Sequence, residues 1–256
     1  MKKSRCQVYF VGAGPGDPEL ITVKGRKCIQ NADLVLYTGS LVPKEIVSCA
    51  REDAEVMDSS SMTLTETHSM IVEAVSSGAM VARVHTGDPS LYGAVKEQMV
   101  LLERENIPYE VIPGVTVAFA GAAKARISFT LPEVTQTLIF TRMAGRTPVP
   151  ERERLRSLAA HRCSLAIYLS AGNPAKMVEE LLAGGYPEDT PVFVGYRVGW
   201  PDELAFFSTL SGLVQDVTNA SITRQAVFLV LPGQEDASFS RLYDPRFSHG
   251  FRKRTG

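Results

Sequence analysis

The 256-residue sequence predicts an α/β protein made of two α/β domains, on three observations. Short apolar runs rich in Val, Ile, Leu and Phe alternate with amphipathic stretches, once over residues 1–123 and again over 124–234. The turns that follow those runs (GAGPGDP, HTGDPSLYG, PGVT, IYLSAGN and VGYRVGWPDE) are rich in small residues and carry little charge. A stretch without clear period, 124–133, reads as a hinge, and the length suits one large domain or two small ones. Strands alternating with helices at this spacing imply parallel pairing, with helices covering the sheet.

The first half opens with the strand QVYFVG, residues 7–12, and a glycine-rich turn. A helix from about Glu19 to Asn31, the strand LVLY at 34–37, a short helix from Pro43 and a strand near Ala54 to Met57 come next. Residues 64–76 set Leu64, Met70, Ile71, Ala74 and Val75 on or near one helical face. VARV at 81–84 suits a buried or half-buried strand, because its β-branched ends fit a pleated surface. After it, Gly87, Asp88 and Pro89 break the strand and start a helix over Ser90 to Arg104, with Leu91, Val95, Met99 and Leu102 at spacings of three or four. YEVIPGVT, 109–116, supplies a strand, a Pro-Gly turn and the next helix start. In the second half, strands at 135–142, 164–170, 191–197, 203–209 and 225–231 and helices at 151–160 and 174–185 point to a sheet of mixed pairing. Residues 235–256, with Arg252, Lys253 and Arg254, offer little to bury and read as a mobile tail.

Composition narrows the function classes. With 27 Lys and Arg against 28 Asp and Glu, the net charge of −1 provides no global positive field for nucleic acid or an anionic membrane. No apolar run reaches membrane-spanning length, and the basic start at Lys2, Lys3 and Arg5 lacks the long apolar core of a signal peptide, so a cytoplasmic protein is expected. Cys6, Cys28, Cys49 and Cys163 form no CxxC, and the four histidines are scattered, so reduced thiols and no metal site are expected.

The turn at Thr86–Asp88 is the candidate floor of a ligand site. It follows a strand at the end where open α/β sheets bind ligands, and Gly87 has no Cβ to hold a ligand away. The same residues also suit a plain capped βα turn, and the Gly-Asp-Pro triplet at 16–18 repeats the pattern. GAGPGD departs from a dinucleotide fingerprint: Asp17 stands where the third glycine would fall and Pro15 removes an amide, which disfavours a nicotinamide dehydrogenase. No Ser/His/Asp order, thiol–histidine pair or carboxylate pair supports hydrolysis. Arg142 and Arg146 in TRMAGRTP suit bidentate contact with carboxylates, and equally a solvated basic loop.

Taken together, GAGPGDPELITVKG, RVHTGDPSLYGA, IPGVT and YRVGWPDE resemble the tetrapyrrole (corrin/porphyrin) methyltransferase family, over about residues 7–231. TQTLIFTRMAGRTPVPE, 135–151, is similar to the stretch typical of its precorrin-4 C11-methylating members in cobalamin biosynthesis, and HTGDPSLYGA to those acting on the cobalt form. The resemblance implies S-adenosyl-L-methionine as methyl donor in a cleft between two α/β domains, a tetrapyrrole substrate and a homodimer. By position it implies cofactor contacts at Pro15, Thr86, Gly87, Asp88, Leu91, Thr116, Val117, Leu169, Val198 and Ala226. Substrate contacts are expected at Arg142, Arg146 and His85, and no catalytic residue is assigned because methyl transfer needs no obligatory base. Leu169 stands where related uroporphyrinogen enzymes carry Met, Val198 where they carry Gly, and Gly199 where Ser or Thr usually precedes Trp-Pro-Asp-Glu. Metal-free precorrin-4, an RNA or protein methylase of the same fold, and a non-catalytic binding module are the alternatives.

Overall fold

The structure, a computed structural model, describes residues 7–234 together with 240, 247, 248 and 250. The expected tail at 235–256 otherwise lies outside the described residues. The chain divides into two compact units: the described residues up to Ala120 with Arg197–Glu203, and Gly121–Tyr196 with the described residues from Leu204 onward. The change of unit thus falls shortly before the expected hinge, inside a helix, and Arg197–Glu203 group with the first unit.

The first unit carries β1 (Val8–Gly12), α1 (Val23–Asn31), β2 (Leu34–Tyr37), α2 (Lys44–Val47), β3 (Glu55–Asp58), α3 (Leu64–Ser76), β4 (Val81–His85), α4 (Val95–Arg104) and β5 (Tyr109–Ile112), and α5 (Val117–Ala125) follows. Its sheet has the order β3-β2-β4-β1-β5 and is parallel throughout. Strand periodicity sorts the side chains: Val11, Val35, Tyr37, Ala82 and Val84 pack with Cys28, Ile29 and Ile46 of α1 and α2. Val8, Phe10, Leu34, Leu36 and Val81 pack with Ile71, Val95 and Leu102 of α3 and α4 on the opposite face. β1 and β4 are neighbours, yet their connections run in opposite directions along the sheet, the arrangement at which open α/β sheets bind ligands.

Two helices of the first unit begin later than the sequence predicts. Asp17 caps a 3-10 turn at Pro18–Leu20 instead of the first helix, and α1 starts at Val23, where Thr22 Oγ1 accepts from the Gly25 amide. The helix expected from Ser90 starts at Val95, because Tyr92 (φ 56°) and Ala94 (φ 47°) hold the left-handed region. Residues 86–94 therefore form a structured loop, and Leu91 leaves the apolar face assigned to it. By contrast α3 keeps its place, with Thr63 and Glu66 forming a reciprocal capping box.

The second unit carries β6 (Leu138–Arg142), α6 (Leu155–Ala159), β7 (Ser164–Tyr168), α7 (Pro174–Ala183), β8 (Pro191–Tyr196), β9 (Leu204–Thr209), α8 (Leu213–Asn219) and β10 (Ala226–Val230). The sheet order is β6-β7-β10-β8-β9, with β6 and β7 parallel and the other pairs antiparallel, so the pairing is mixed as expected. Leu165, Ile167, Val192, Val194, Phe228 and Val230 form one face under Leu155, Met177, Leu181, Leu213 and Val217. The sequence reading passed over α8, whose seven residues are too few to show a helical period.

Candidate functional site

Three glycines meet in the first unit at the carboxyl ends of β1, β4 and β5. A Cβ at Gly12 would lie 2.6 Å from the Cα of Gly114 and 2.7 Å from the carbonyl oxygen of Gly87; one at Gly114 would lie 2.1 Å from that same oxygen. Main chain packs directly on main chain here, so a side chain at 12 or 114 would force backbone to move. Gly87 has φ +59°, and its N–H donates to Gly14 O at 2.8 Å while its own oxygen accepts from Gly14 N at 3.2 Å. Gly87 therefore presents room and not bare polar backbone: the nearest atom to its missing Cβ is Thr116 Cα, 3.7 Å away.

Asp88 joins two of these loops. Its Oδ1 accepts from the Ser90 amide at 2.9 Å and from the Ser90 hydroxyl, and its Oδ2 accepts from the Gly114 amide at 3.0 Å. Burial raises the Asp88 carboxyl, but donation by the Ser90 hydroxyl, the Gly114 amide and the Ser90 amide outweighs it and leaves the group below the ordinary carboxylate range. The turn thus keeps a negative charge at neutral pH. Thr116 is buried where the next loop ends, its oxygen accepting from Phe119 N and Ala120 N, and Val117 begins α5 half-buried.

Beneath the floor, on the α3/α4 face of β4, lie Arg83 and His85. Arg83 is 7% exposed; its Nε donates to Gln98 Oε1 at 3.0 Å, and its Nη1 donates to Leu36 O at 3.2 Å and Ser59 Oγ at 2.8 Å. Burial lowers its pKa to about 10, so it stays charged at neutral pH. His85 is 4% exposed beside Phe10, with ring centroids 5.9 Å apart, and its Nε2 has no partner among the described residues. Burial and the Arg83 charge lower it to about 3 against the bond it makes with the Gly93 backbone, so the ring is neutral. That placement makes His85 a support for the 86–94 loop and keeps it from facing solvent.

The rim is built by Arg197–Glu203. Trp200 Nε1 donates to Pro15 O at 3.3 Å, and a Cβ at Gly16 would lie 2.3 Å from Trp200 Cδ1. Gly199 has φ +83°, and a Cβ there would lie 2.6 Å from Asp17 N, so close approach to the β1 turn accounts for glycine at this position. Val198 is buried beside it. Arg197 stacks over the Trp200 ring at 4.1 Å and pairs with Asp202. A cavity of about 520 Å³ opens here, lined among others by Tyr37, Gly39, Lys44, Asp58, Arg197 and Trp200. Asp58 shapes its wall: Oδ1 accepts from Ser60 N at 2.8 Å and Gly39 N at 2.9 Å, bonds that hold the carboxyl below its ordinary value.

Leu169 and Ala226 belong to the second unit. Phe228 pairs with Ile167, so continuing that antiparallel register by two residues sets Ala226 opposite Leu169. Leu169 is 69% exposed at φ +52°, a strained conformation for leucine that commonly marks a functional position. Arg142 ends β6, and its guanidinium donates to Met143 O, Thr147 O and Pro148 O at 3.2, 3.2 and 2.7 Å; its donors shape the loop on which Arg146 stands exposed.

Eight of the ten expected cofactor positions thus lie in the first unit, on the loops after β1, β4 and β5 and on the rim. Sequence reasoning missed Gly12, Gly14 and Gly114 as floor residues, although the GAG and PGV turns contain them, and it missed Trp200 because its partner is 185 residues away. Arg83 had a legible signal: it shares the core-facing side of β4 with Val81.

The family model for Tetrapyrrole (Corrin/Porphyrin) Methylases matches residues 7–214. The chain is 47% identical over 252 residues to the cobalt-precorrin-4 C(11)-methyltransferase of Priestia megaterium, covering 96% of this chain and 98% of the relative. Among solved structures, a cobalt precorrin-4 methyltransferase described as a cobalamin biosynthetic enzyme is 47% identical with a TM-score of 0.86, covering 88% of this chain and 94% of that one. A uroporphyrin-III C-methyl transferase from Thermus thermophilus complexed with S-adenyl homocysteine is 25% identical, with a TM-score of 0.72 and coverage of 88% and 97%.

Proposed function

The chain belongs to the tetrapyrrole (corrin/porphyrin) methylase family, and from that premise we propose that it transfers the methyl group of S-adenosylmethionine to C11 of cobalt-precorrin-4 in cobalamin biosynthesis. The observation that carries this reading is the glycine floor with Asp88 held as a carboxylate beside it. S-adenosylmethionine bears a sulfonium and an ammonium. A pyrophosphate would need free amides, whereas here Gly14 and Gly87 bond each other, Pro15 has none, and Asp17 and Asp88 repel an anion. The name of the Thermus relative's ligand, the demethylated donor, supports the same cofactor.

The chemistry asks the protein for placement. In-line displacement at the methyl needs the ring carbon about 3–3.5 Å away, and held geometry of this kind supplies a large part of the rate enhancement. No general base is obligatory. Thr86, Gly87, Asp88, Leu91, Thr116 and Val117, with Pro15 and Val198, are assigned to the donor. Arg146, exposed on the loop that Arg142 braces, is assigned to substrate carboxylates. A cytoplasmic homodimer completes the reading; no helix among the described residues is long and apolar enough to cross a membrane.

Incubation with methyl-labelled S-adenosylmethionine and cobalt-precorrin-4, and separately with metal-free precorrin-4, tests the assignment. Label at C11 of the cobalt form is the expected result, and faster transfer to the metal-free form would move the enzyme to the other branch. Donor binding without transfer to either would leave a binding module.

A further inference from the structure

We propose that Arg83 is a positioning residue for methyl transfer, a buried guanidinium that fixes the cavity wall formed by the loop after β2 relative to the donor floor formed by the loop after β4. The inference rests on the methyltransferase reading above. Three strands of observation support it, all within the first unit.

On the wall side, Arg83 Nη1 donates both to Leu36 O, one residue before β2 ends, and to Ser59 Oγ, directly after β3. Ser59 is itself tied to Tyr37: its amide donates to Tyr37 O at 2.8 Å and its hydroxyl to the same oxygen at 3.1 Å. Asp58, the neighbour of Ser59, holds Gly39. Tyr37, Gly39 and Asp58 all line the cavity of about 520 Å³.

On the floor side, Arg83 Nε donates to Gln98 Oε1, and Gln98 Nε2 donates to Ala94 O at 2.9 Å. Ala94 holds a left-handed φ of 47° at the end of the 86–94 loop. His85, two residues along the same face of β4, is bonded to the backbone of Gly93. One planar group with its donors in a fixed fork is thus linked through Ser59 to Tyr37, where the loop after β2 begins, and through Gln98 to Ala94, where the 86–94 loop ends.

Finally, the chemistry of the position favours placement over stability. Arg83 donates to an amide oxygen, a carbonyl and a hydroxyl, and none of these is a carboxylate. A well-packed apolar side chain commonly serves stability as well as a buried ionic group does. A reaction that depends on the distance between a donor methyl and a ring carbon gains from such a clamp.

The test compares the full-length chain with Arg83→Met and Ser59→Ala. Expected for Arg83→Met are a melting temperature at or above that of the parent, an S-adenosylhomocysteine Kd within threefold, and kcat at least tenfold lower. Ser59→Ala, which keeps the charge, is expected to lower kcat about threefold with the same Kd. A kcat within twofold of the parent in Arg83→Met overturns the proposal, as does a loss of activity that follows the fraction unfolded. If Arg83→Met does not fold, Ser59→Ala decides: unchanged kcat overturns it. Should the parent methylate no tetrapyrrole, the methyltransferase reading fails separately, and the clamp is read from hydrogen exchange. Faster exchange at 37–42 and 90–94 in Arg83→Met at unchanged melting temperature supports it, and unchanged exchange overturns it.

Discussion

Asp88 shows how one side chain ties two loops together and stays ionised through the same bonds. It bonds Ser90 on its own loop and Gly114 on the next, and the donors that keep it ionised are the bonds that shape the site. Asp88→Ala removes the negative charge and frees the Gly114 amide. Hydrogen bonds to charged groups contribute about 1.5–3 kcal/mol, so S-adenosylhomocysteine affinity measured by calorimetry should fall at least about tenfold. Unaltered affinity would remove Asp88 from the donor site. His85 makes a different prediction. It is neutral in the fold, lowered to about 3, whereas an unfolded histidine titrates near 6.5. Its contribution is complete above about pH 6.5 and is lost as pH falls towards 3, because only the unfolded chain takes up that proton. The limiting slope is about 1.4 kcal/mol per pH unit. Denaturant titrations between pH 6.5 and 4.5 should show stability falling with pH, and His85→Gln should flatten that slope; an equally steep slope in the variant would assign the effect elsewhere.

At the scale of elements, the parallel first sheet follows closely from apolar pattern, because short runs such as LVLY and VARV, with their β-branched and aromatic residues, suit buried strands. Helix starts followed less well. Asp-Pro signals a start at both 17–18 and 88–89, yet at both sites the carboxylate caps a turn and the helix begins five or more residues on. The competing term at 88–89 is tertiary: Asp88 accepts from the Gly114 amide, a partner on the next loop that no local window contains. The candidate site was legible as small-residue turns, but the mutual contact of Gly12, Gly87 and Gly114 required the order of β4, β1 and β5 in the sheet. That contact is testable. Gly114→Ala places a methyl 2.1 Å from the Gly87 oxygen, an overpacking that costs about 1–3 kcal/mol, or a melting temperature lower by several degrees, with donor binding lost. Gly78→Ala is the control: its φ is +85° but nothing lies within 4 Å, so donor affinity should be retained despite modest backbone strain. Equal binding by both variants would separate the glycine contact from the site.

Across the whole chain, the two units solve different problems with related parts. The first gathers loops at the carboxyl ends of parallel strands, and the residues Arg197–Glu203 are drawn to it by the Trp200 indole and the glycine-only approach at Gly199. Such a grouping depends on contacts nearly 200 residues apart, which is why it is invisible in local pattern. The second unit sets its helices on one face of a mixed sheet and brings Leu169 and Ala226 abreast by register. Because the floor is glycine backbone locked against glycine backbone, it offers selection no graded alternatives there. If this floor seats the methyl donor as proposed, drift in substrate preference among descendants of this enzyme would accumulate on the surrounding loops, while the floor passes unchanged from one specificity to the next.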